Sequence, residues 1–377
     1  MRFLHISDLH IGKRINEFSM IEDQRYILDR ILEIADIERV DGVLIAGDVY
    51  DKPVPSAEAV QVFDWFLTRL AEQKRMIFVV SGNHDSAERI AFGSQIMKGK
   101  NVYVSPVYHG EVSRVELADE YGEIFVYLLP FIKPVMVRHV LEGEEDLPES
   151  YSDAVKVVVD RMEVDKRKRN LIVAHQFVTG AGRCDSEEVS VGGMDNVDVE
   201  IFDCFDYAAL GHIHSPQSIK RETVRYCGTP LKYSFSEAEQ EKSVSVVEFR
   251  EKGQVEITIV PLQPLRDMKK IRGSYLEVTK REFYQDRNTE DYVQIILTDE
   301  EDILDGMQKL RVIYPNLMQL VYDNSRTRQN RMVEAVADIE QKSEMELFEE
   351  FYELQNNRKM SAEQEEYLVR LIERVRS

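Results

Sequence analysis

Five short stretches place acidic, amide or imidazole side chains directly behind apolar runs. "SDLH" follows "RFLHI" and offers Asp8 and His10. "GDVYD" follows "VLIA" and offers Asp48 and Asp51. "SGNHDS" follows "MIFVV" and offers Asn83, His84 and Asp85. "HQF" follows "LIVA" and offers His175, and "GHIH" follows "YAAL" and offers His212 and His214. Each stretch alone has a plain reading. Gly and Asn favour turns, Asp caps helices, and a lone His at a strand end is more often packed than ligating. Together they describe a metal site. Asp8, Asp48, Asn83, His10, His175, His212 and His214, with no Cys, make a nitrogen/oxygen donor set that suits Mn²⁺, Fe²⁺ or Zn²⁺ better than Ca²⁺. Seven ligands exceed what one ion takes. Two ions about 3.5–4 Å apart, sharing a carboxylate, account for the number and are typical of phosphoester hydrolysis. His5, His109 and His139 lack such company and read as structural.

Side chains this far apart in sequence need a sheet to converge. "RFLHIS" (2–7), "VLIA" (43–46), "MIFVV" (76–80), "LIVA" (171–174) and the weaker "YAAL" (207–210) have the length and composition of buried strands. Helical periodicity fits 22–39, through Ile27, Leu28, Ile31, Leu32 and Ile34. It also fits 56–73, through Val60, Phe63, Phe66, Leu67 and Leu70. This alternation predicts a helix-covered sheet, with ligands gathered beyond the carboxyl ends of strands lying about 5 Å apart. "SVSVVEF" and "VEITIV" around "EKGQ" predict a hairpin, so a mixed two-sheet core is expected rather than a purely parallel sheet.

Pro261 and Pro264 mark a boundary, giving a first domain of 1–265. "SYLEVT" and "YVQIILT" as strands, a helix over 302–313 and "LMQLVY" as a strand predict a small α/β module over 266–325. A polar linker (326–342) and two helices (343–377) follow, each opened by a capping-box pattern, Ser343…Glu346 and Ser361…Gln364. The first helix gathers Met345, Leu347, Phe348, Phe351, Tyr352 and Leu354 on one side. The second gathers Tyr367, Leu368, Leu371, Ile372 and Val375. Such short amphipathic helices need something to dock on.

The 377 residues carry a net charge of −21 and are 43% apolar. That excludes global disorder and broad non-specific attraction to nucleic acid, but not a nucleic-acid enzyme, because bound divalent ions reverse the local sign. No 18-residue apolar run crosses a membrane, and three scattered cysteines (Cys184, Cys204, Cys227) fit a reduced cytoplasm.

The order DxH…GDxxD…GNHD…H…GHxH resembles the calcineurin-like metallophosphoesterases over residues 1–230. "LHISDLHIGK", "VSGNHDS", "GHIHSPQ" and "YCGTPLKYSFSE" resemble one branch of it, the bacterial DNA-processing nucleases that work with a coiled-coil ATPase, and the later modules extend the likeness along nearly the whole chain. The resemblance implies a two-sheet sandwich flanked by helices, with a small DNA-contacting capping domain. It implies two Mn²⁺ ions, with Mg²⁺, Fe²⁺ or Zn²⁺ also fitting. One ion would be held by Asp8, His10, Asp48 and His214. The other would be held by Asp48, Asn83, His175 and His212. His84 would contact phosphate or protonate the leaving 3′ oxygen, and Asp85 would orient His84 or cap the next helix. Some relatives carry His where this chain has Asp51, which puts a substrate-placing role there in doubt.

The resemblance further implies a homodimer through the 56–73 helix, where Trp65 and Val62 lie off the main stripe; a helix buried on two sides is the alternative. Partners would be DNA and the ATPase, gripped through Phe348, Phe351, Tyr352, Leu368 and Leu371. Three functions remain open: a Mn²⁺-dependent nuclease cutting ends and hairpins in DNA replication, recombination and repair, a phosphoesterase on a small or protein substrate, and a non-catalytic scaffold. The filled ligand positions and the 110 or so residues beyond 265 favour the nuclease.

Overall fold

The computed structural model describes residues 1–144, 146–187, 196–328 and 364. The elements run β1 (Arg2–Ile6), a small ribbon β2 (Arg14–Ile15) and β3 (Phe18–Ser19), α1 (Ile21–Ile37), β4 (Gly42–Ala46), α2 (Ala57–Glu72) and β5 (Met76–Val80). Short helices α3 (Ala87–Ile90) and α4 (Ser94–Met97) lead to β6 (Val102–Val104), β7 (Ser113–Asp119) and β8 (Gly122–Leu129). Next come α5 (Pro134–Val140), α6 (Tyr151–Arg161), β9 (Arg169–His175), β10 (Tyr207–Gly211), β11 (Gln217–Ile219) and β12 (Arg221–Tyr226). The hairpin β13 (Ser243–Phe249) and β14 (Val255–Pro261) follows.

Two six-stranded sheets result, ordered β14-β13-β1-β4-β5-β6 and β11-β12-β10-β9-β8-β7. Strands β1, β4, β5 and β6 run parallel in the first, and β8, β9, β10 and β12 in the second. Antiparallel pairing joins β13 to β1 and β14, β7 to β8, and β11 to β12. The five predicted ligand-bearing strands all form, and the predicted hairpin is β13–β14.

The period-2 pattern explains the stacking. Ile124, Val126 and Leu128 of β8, with Leu171 and Val173 of β9, meet Phe3, Leu44, Phe78 and Val80 of the other sheet. The alternate residues Tyr127, Leu129, Ile172 and Ala174 face outward, in one cluster with Val155, Val158 and Val159 of α6. Buried on both faces, β9 therefore reads as an unbroken apolar run. On α2, Val62 is buried and Val60 is 44% exposed, the reverse of the stripe drawn from sequence; Trp65 lies under the Arg25 guanidinium, 4.7 Å from its ring centre. The β7–β8 hairpin was not expected from sequence.

The described residues form two compact units: residues 1–270 with 290–293, and 271–289 with 294–328. The break falls a few residues beyond the one drawn from Pro261 and Pro264. Arg266 pairs with Asp23 (3.1 Å) and Glu22, and Asp267 with Lys232 at 2.9 Å, which keeps this stretch with the first unit. The remaining elements are β15 (Met268–Gly273), α7 (Tyr275–Val278), α8 (Arg281–Tyr284), β16 (Tyr292–Leu297), α9 (Gly306–Arg311) and β17 (Leu317–Tyr322), the strands ordered β15-β16-β17. "SYLEVT", expected as a strand, forms α7 and its two caps instead. Ser274 and Glu277 make a reciprocal capping box there, and that local pairing outweighs the apolar alternation. The helix expected over 302–313 shortens to α9. Residues 325–328, across the start of the expected linker (326–342), form a helical turn, with Asn324 Oδ1 accepting from Thr327 N at 3.0 Å. The C-terminal residues Phe348, Phe351, Tyr352, Leu368 and Leu371 lie outside the described residues.

Candidate metal centre

The loops beyond β1 and β4 are tied together, Asp8 N donating to Gly47 O at 3.0 Å and His10 N to Asp48 O at 2.9 Å. Gln24, in the first turn of α1, anchors the same loop, donating to His10 O at 2.7 Å and accepting from Gly12 N at 2.9 Å. Four candidate ligands take positive φ: Asp8 (52°), His10 (44°), Asp48 (48°) and His212 (105°). Non-glycine residues rarely adopt this backbone, and it persists only where the surroundings over-determine it, often at functional sites. The glycines before Asn83 and His212 serve close approach. A Cβ on Gly82 would lie 2.1 Å from Asp48 Oδ1, and one on Gly211 1.8 Å from Ala46 O. The repeated G–ligand pattern in the sequence thus lets one loop's backbone pass against another loop's ligand.

The seven predicted ligands and His84 come together where the first sheet's β1, β4 and β5 end against the second sheet's β9 and β10. Asp8, His10 and His175 are fully buried, and Asp48 and His214 nearly so. Asp48 sits centrally, its Oδ2 lying 3.6 Å from His10 Nε2, 3.5 Å from His175 Nε2 and 4.0 Å from His84 Nε2. Asn83 Oδ1 lies 2.9 Å from His175 Nε2 and 3.0 Å from His212 Nδ1. Asp8, His10 and His214 offer ligand atoms within 4.8 Å of one another, as do Asp8, Asp48 and His175.

The donors fit cations. His175 Nδ1 is 2.9 Å from Ala46 O, a contact that puts a proton on Nδ1 and leaves Nε2 as the nitrogen facing Asp48 and Asn83, where a cation can replace a proton. His10 Nε2 faces His214 Nε2 at 3.1 Å. Asp8 Oδ2 and His10 Nδ1 are buried without a hydrogen-bond partner. Acceptors facing acceptors in a buried space call for a proton or a cation between them. The charges agree. Burial, with Asp48 adding, pushes Asp8 up to about 7, while burial holds His10 and His214 well below the usual imidazole value. Burial also opposes the Asp48 charge, but the His175, His10 and His84 rings override it and hold that carboxyl well below its usual range. Reciprocally, burial opposes a charged His175, and Asp48 lifts it to about 9.

His84 is half-buried on the open side. Its backbone N donates to Asp48 Oδ1 at 2.9 Å, and its Nδ1 lies 3.2 Å from Asp51 O, so Asp51 orients it through the backbone. The Asp51 side chain pairs with Lys13 Nζ at 2.7 Å and lies 3.8 Å from His10 Nδ1. Asp85 serves differently from expectation. Its carboxylate accepts from Val49 N (3.1 Å), Tyr50 N (2.9 Å) and Gly82 N (2.9 Å), stapling the β4 and β5 loops together. The following helix is capped by Ser86 Oγ. Sequence reasoning missed Ser186, Glu187, Thr229, Glu237 and Lys242 around His214, because no spacing rule links them to it.

A two-sheet sandwich with an Asp/Asn/His cluster at the strand carboxyl ends defines a metallophosphoesterase. The profile of the calcineurin-like phosphoesterases matches residues 1–216, over half the chain, and the chain belongs to that family. It is a metal-dependent phosphoester hydrolase. Residues 264–356 match a second profile, described as a type 5 capsule protein repressor C-terminal domain. The chain is similar to the D subunit of the SbcCD nuclease of Staphylococcus epidermidis, 31% identical over 379 residues, 99% of this chain and 98% of that one. Solved structures are more distant. A Thermus thermophilus protein is 13% identical with TM-score 0.39, covering 68% of this chain and 98% of its own. A dimetal phosphatase from Danio rerio is 11% identical with TM-score 0.40, covering 70% and 99%.

Proposed function

We propose that this chain is the Mn²⁺-dependent nuclease subunit of a cytoplasmic bacterial DNA end-processing complex. It acts as an exonuclease and hairpin endonuclease with an SbcC-type ATPase, in DNA replication, recombination and repair. The observation that carries this reading is the convergence of Asp8, His10, Asp48, Asn83, His175, His212 and His214 on one buried cluster, in a chain similar over its whole length to a nuclease subunit. Asp8, His10, Asp48 and His214 would hold one ion; Asp48, Asn83, His175 and His212 the other. Such an ion pair supplies charge to the phosphoryl oxygens and lowers the pKa of an attacking water. The chain's own residues do the rest. Asp48 offsets charge at the centre, and the Ala46 carbonyl, by holding a proton on His175 Nδ1, reserves Nε2 for an ion. His84, its Nδ1 held by Asp51 O, presents Nε2 to bind the phosphate or to protonate the leaving 3′ oxygen.

The residues from 266 to 325 serve in this reading as a DNA-contacting cap, with 326–342 as linker. Homodimerisation is supported by large apolar side chains left in solvent on and after α2, Val60 at 44% and Phe92 and Ile96 above 80% exposed. The ATPase docks on Phe348, Phe351, Tyr352, Leu368 and Leu371. No helix among the described residues is long and apolar enough to cross a membrane.

The test is cleavage of linear and hairpin DNA with Mn²⁺, by the protein alone and with partner and ATP. Both substrates should be cut, hairpins mainly by the complex. Hydrolysis of bis-p-nitrophenyl phosphate without any DNA cleavage would overturn the reading in favour of a small-substrate phosphoesterase. Phe351→Glu should abolish partner pull-down and leave hydrolysis of that small substrate intact.

A further inference from the structure

His214 is anchored at three points. Its backbone N donates to Glu187 Oε1 at 2.7 Å, and its carbonyl accepts from Lys242 Nζ at 2.9 Å and Thr229 N at 3.1 Å. Its ring Nδ1 lies 2.7 Å from Ser186 Oγ, and that hydroxyl lies 2.5 Å from Glu237 Oε1. Glu237 is fully buried, and its Oε2 takes a 2.6 Å contact from Lys242 Nζ. A carboxylate facing a lysine ammonium can only accept. The single Ser186 proton therefore points to Glu237, and the hydroxyl's lone pair is left for His214. That requires the His214 proton on Nδ1 and leaves Nε2 bare, 3.1 Å from His10 Nε2.

We infer that Glu237 and Ser186 form a relay that fixes the tautomer and ring orientation of His214, and so set the affinity of the ion on the Asp8–His10–His214 side. Both are positioning residues; neither is assigned to touch substrate or ion. Hydrogen-bonding the far nitrogen of a ligating imidazole commonly governs affinity in this way. The inference rests on the two-metal reading and deepens it.

The test uses the full chain, stripped of metal and titrated with Mn²⁺ by calorimetry, alongside nitrogen-15 NMR of the histidine rings in the metal-free protein. Wild type should bind two equivalents and show His214 as the Nδ1-protonated tautomer. Ser186→Ala should weaken one equivalent roughly 10–100-fold, leave the other unchanged, and give a mixed His214 tautomer. Ser186→Thr, which keeps the hydroxyl, should restore both signatures. Glu237→Gln should behave like Ser186→Ala. If that variant fails to fold, Ser186→Ala decides alone, since it removes one half-buried oxygen. Two unchanged equivalents and an unchanged tautomer in Ser186→Ala would reject the relay, as would unfolding of that variant, which would mark a purely structural serine. Wild-type protein that binds no Mn²⁺ would instead reject the metal reading itself.

Discussion

The two ends of the same sandwich are built on opposite rules. At the carboxyl ends of the parallel strands, groups that can each accept are crowded against one another: Asp48, Asn83 and ring nitrogens of His175, His10 and His214. At the other end, acids face bases. The Asp119 carboxylate lies 2.7 Å from the Met1 ammonium and 2.5 Å from Arg169, which also donates to Gly122 O and Arg250 O. Arg2 meets Glu248 at 2.8 Å, and Lys252 meets Asp206 at 2.7 Å. Positive φ shows the same contrast. Arg39, Lys74 and Glu163 adopt it at exposed helix ends, whereas Asp8, His10 and Asp48 adopt it while buried. One end stabilises the fold with satisfied pairs; the other holds unbalanced charge and strained backbone ready for cations. Stability and chemistry should therefore separate by mutation.

The largest effect is expected from Asp48→Asn. Removing the charge at the centre should leave fewer than two Mn²⁺ equivalents in metal analysis and abolish hydrolysis, with the thermal midpoint little lowered. Full activity here would break the comparison and the two-metal reading with it. His84→Ala should keep both equivalents and slow turnover by about 10²–10⁴-fold. Collapse of metal content would move His84 among the ligands. The far end should respond the other way. Arg169→Ala leaves the Asp119 carboxylate and three backbone carbonyls short of a donor, and should lower unfolding free energy by about 3 kcal/mol in urea titration. Turnover per folded molecule and Mn²⁺ stoichiometry should be unchanged.

The smallest effect sharpens the contrast through pH. Burial opposes the Asp119 charge, but Arg169 and the N-terminal ammonium outweigh it and hold the carboxyl below its usual range. A depressed carboxyl contributes its stability fully above the unfolded value near 3.9 and loses it as pH falls through the folded value. The midpoint gap between wild type and Asp119→Asn should thus be constant from about pH 5 to 7 and shrink below about pH 4 in thermal melts. A gap that widened on acidification would contradict the pairing.

What the sequence determined by itself was local. Each ligand follows an apolar run within a few residues, so strand, turn and donor could be read together, and the donor types alone narrowed the metal class. The convergence of these side chains and the two-sheet class were legible for that reason. Neighbourhoods between distant segments were decided only by the tertiary structure. Asp85 looked like a helix cap, because nothing local told that the Val49 and Tyr50 amides would come to it. Val62 and Val60 exchanged places because they flank the α2 stripe on opposite sides, and a small rotation of the buried face decides which of them it takes in. The glycines at 82 and 211 read as turn residues until the opposing loops showed what a Cβ would strike. Ser186 and Glu237 carry no motif at all. They reach His214 from separate loops, and a hydrogen-bond relay between such segments leaves no periodic trace, because only folding brings its members within hydrogen-bonding distance.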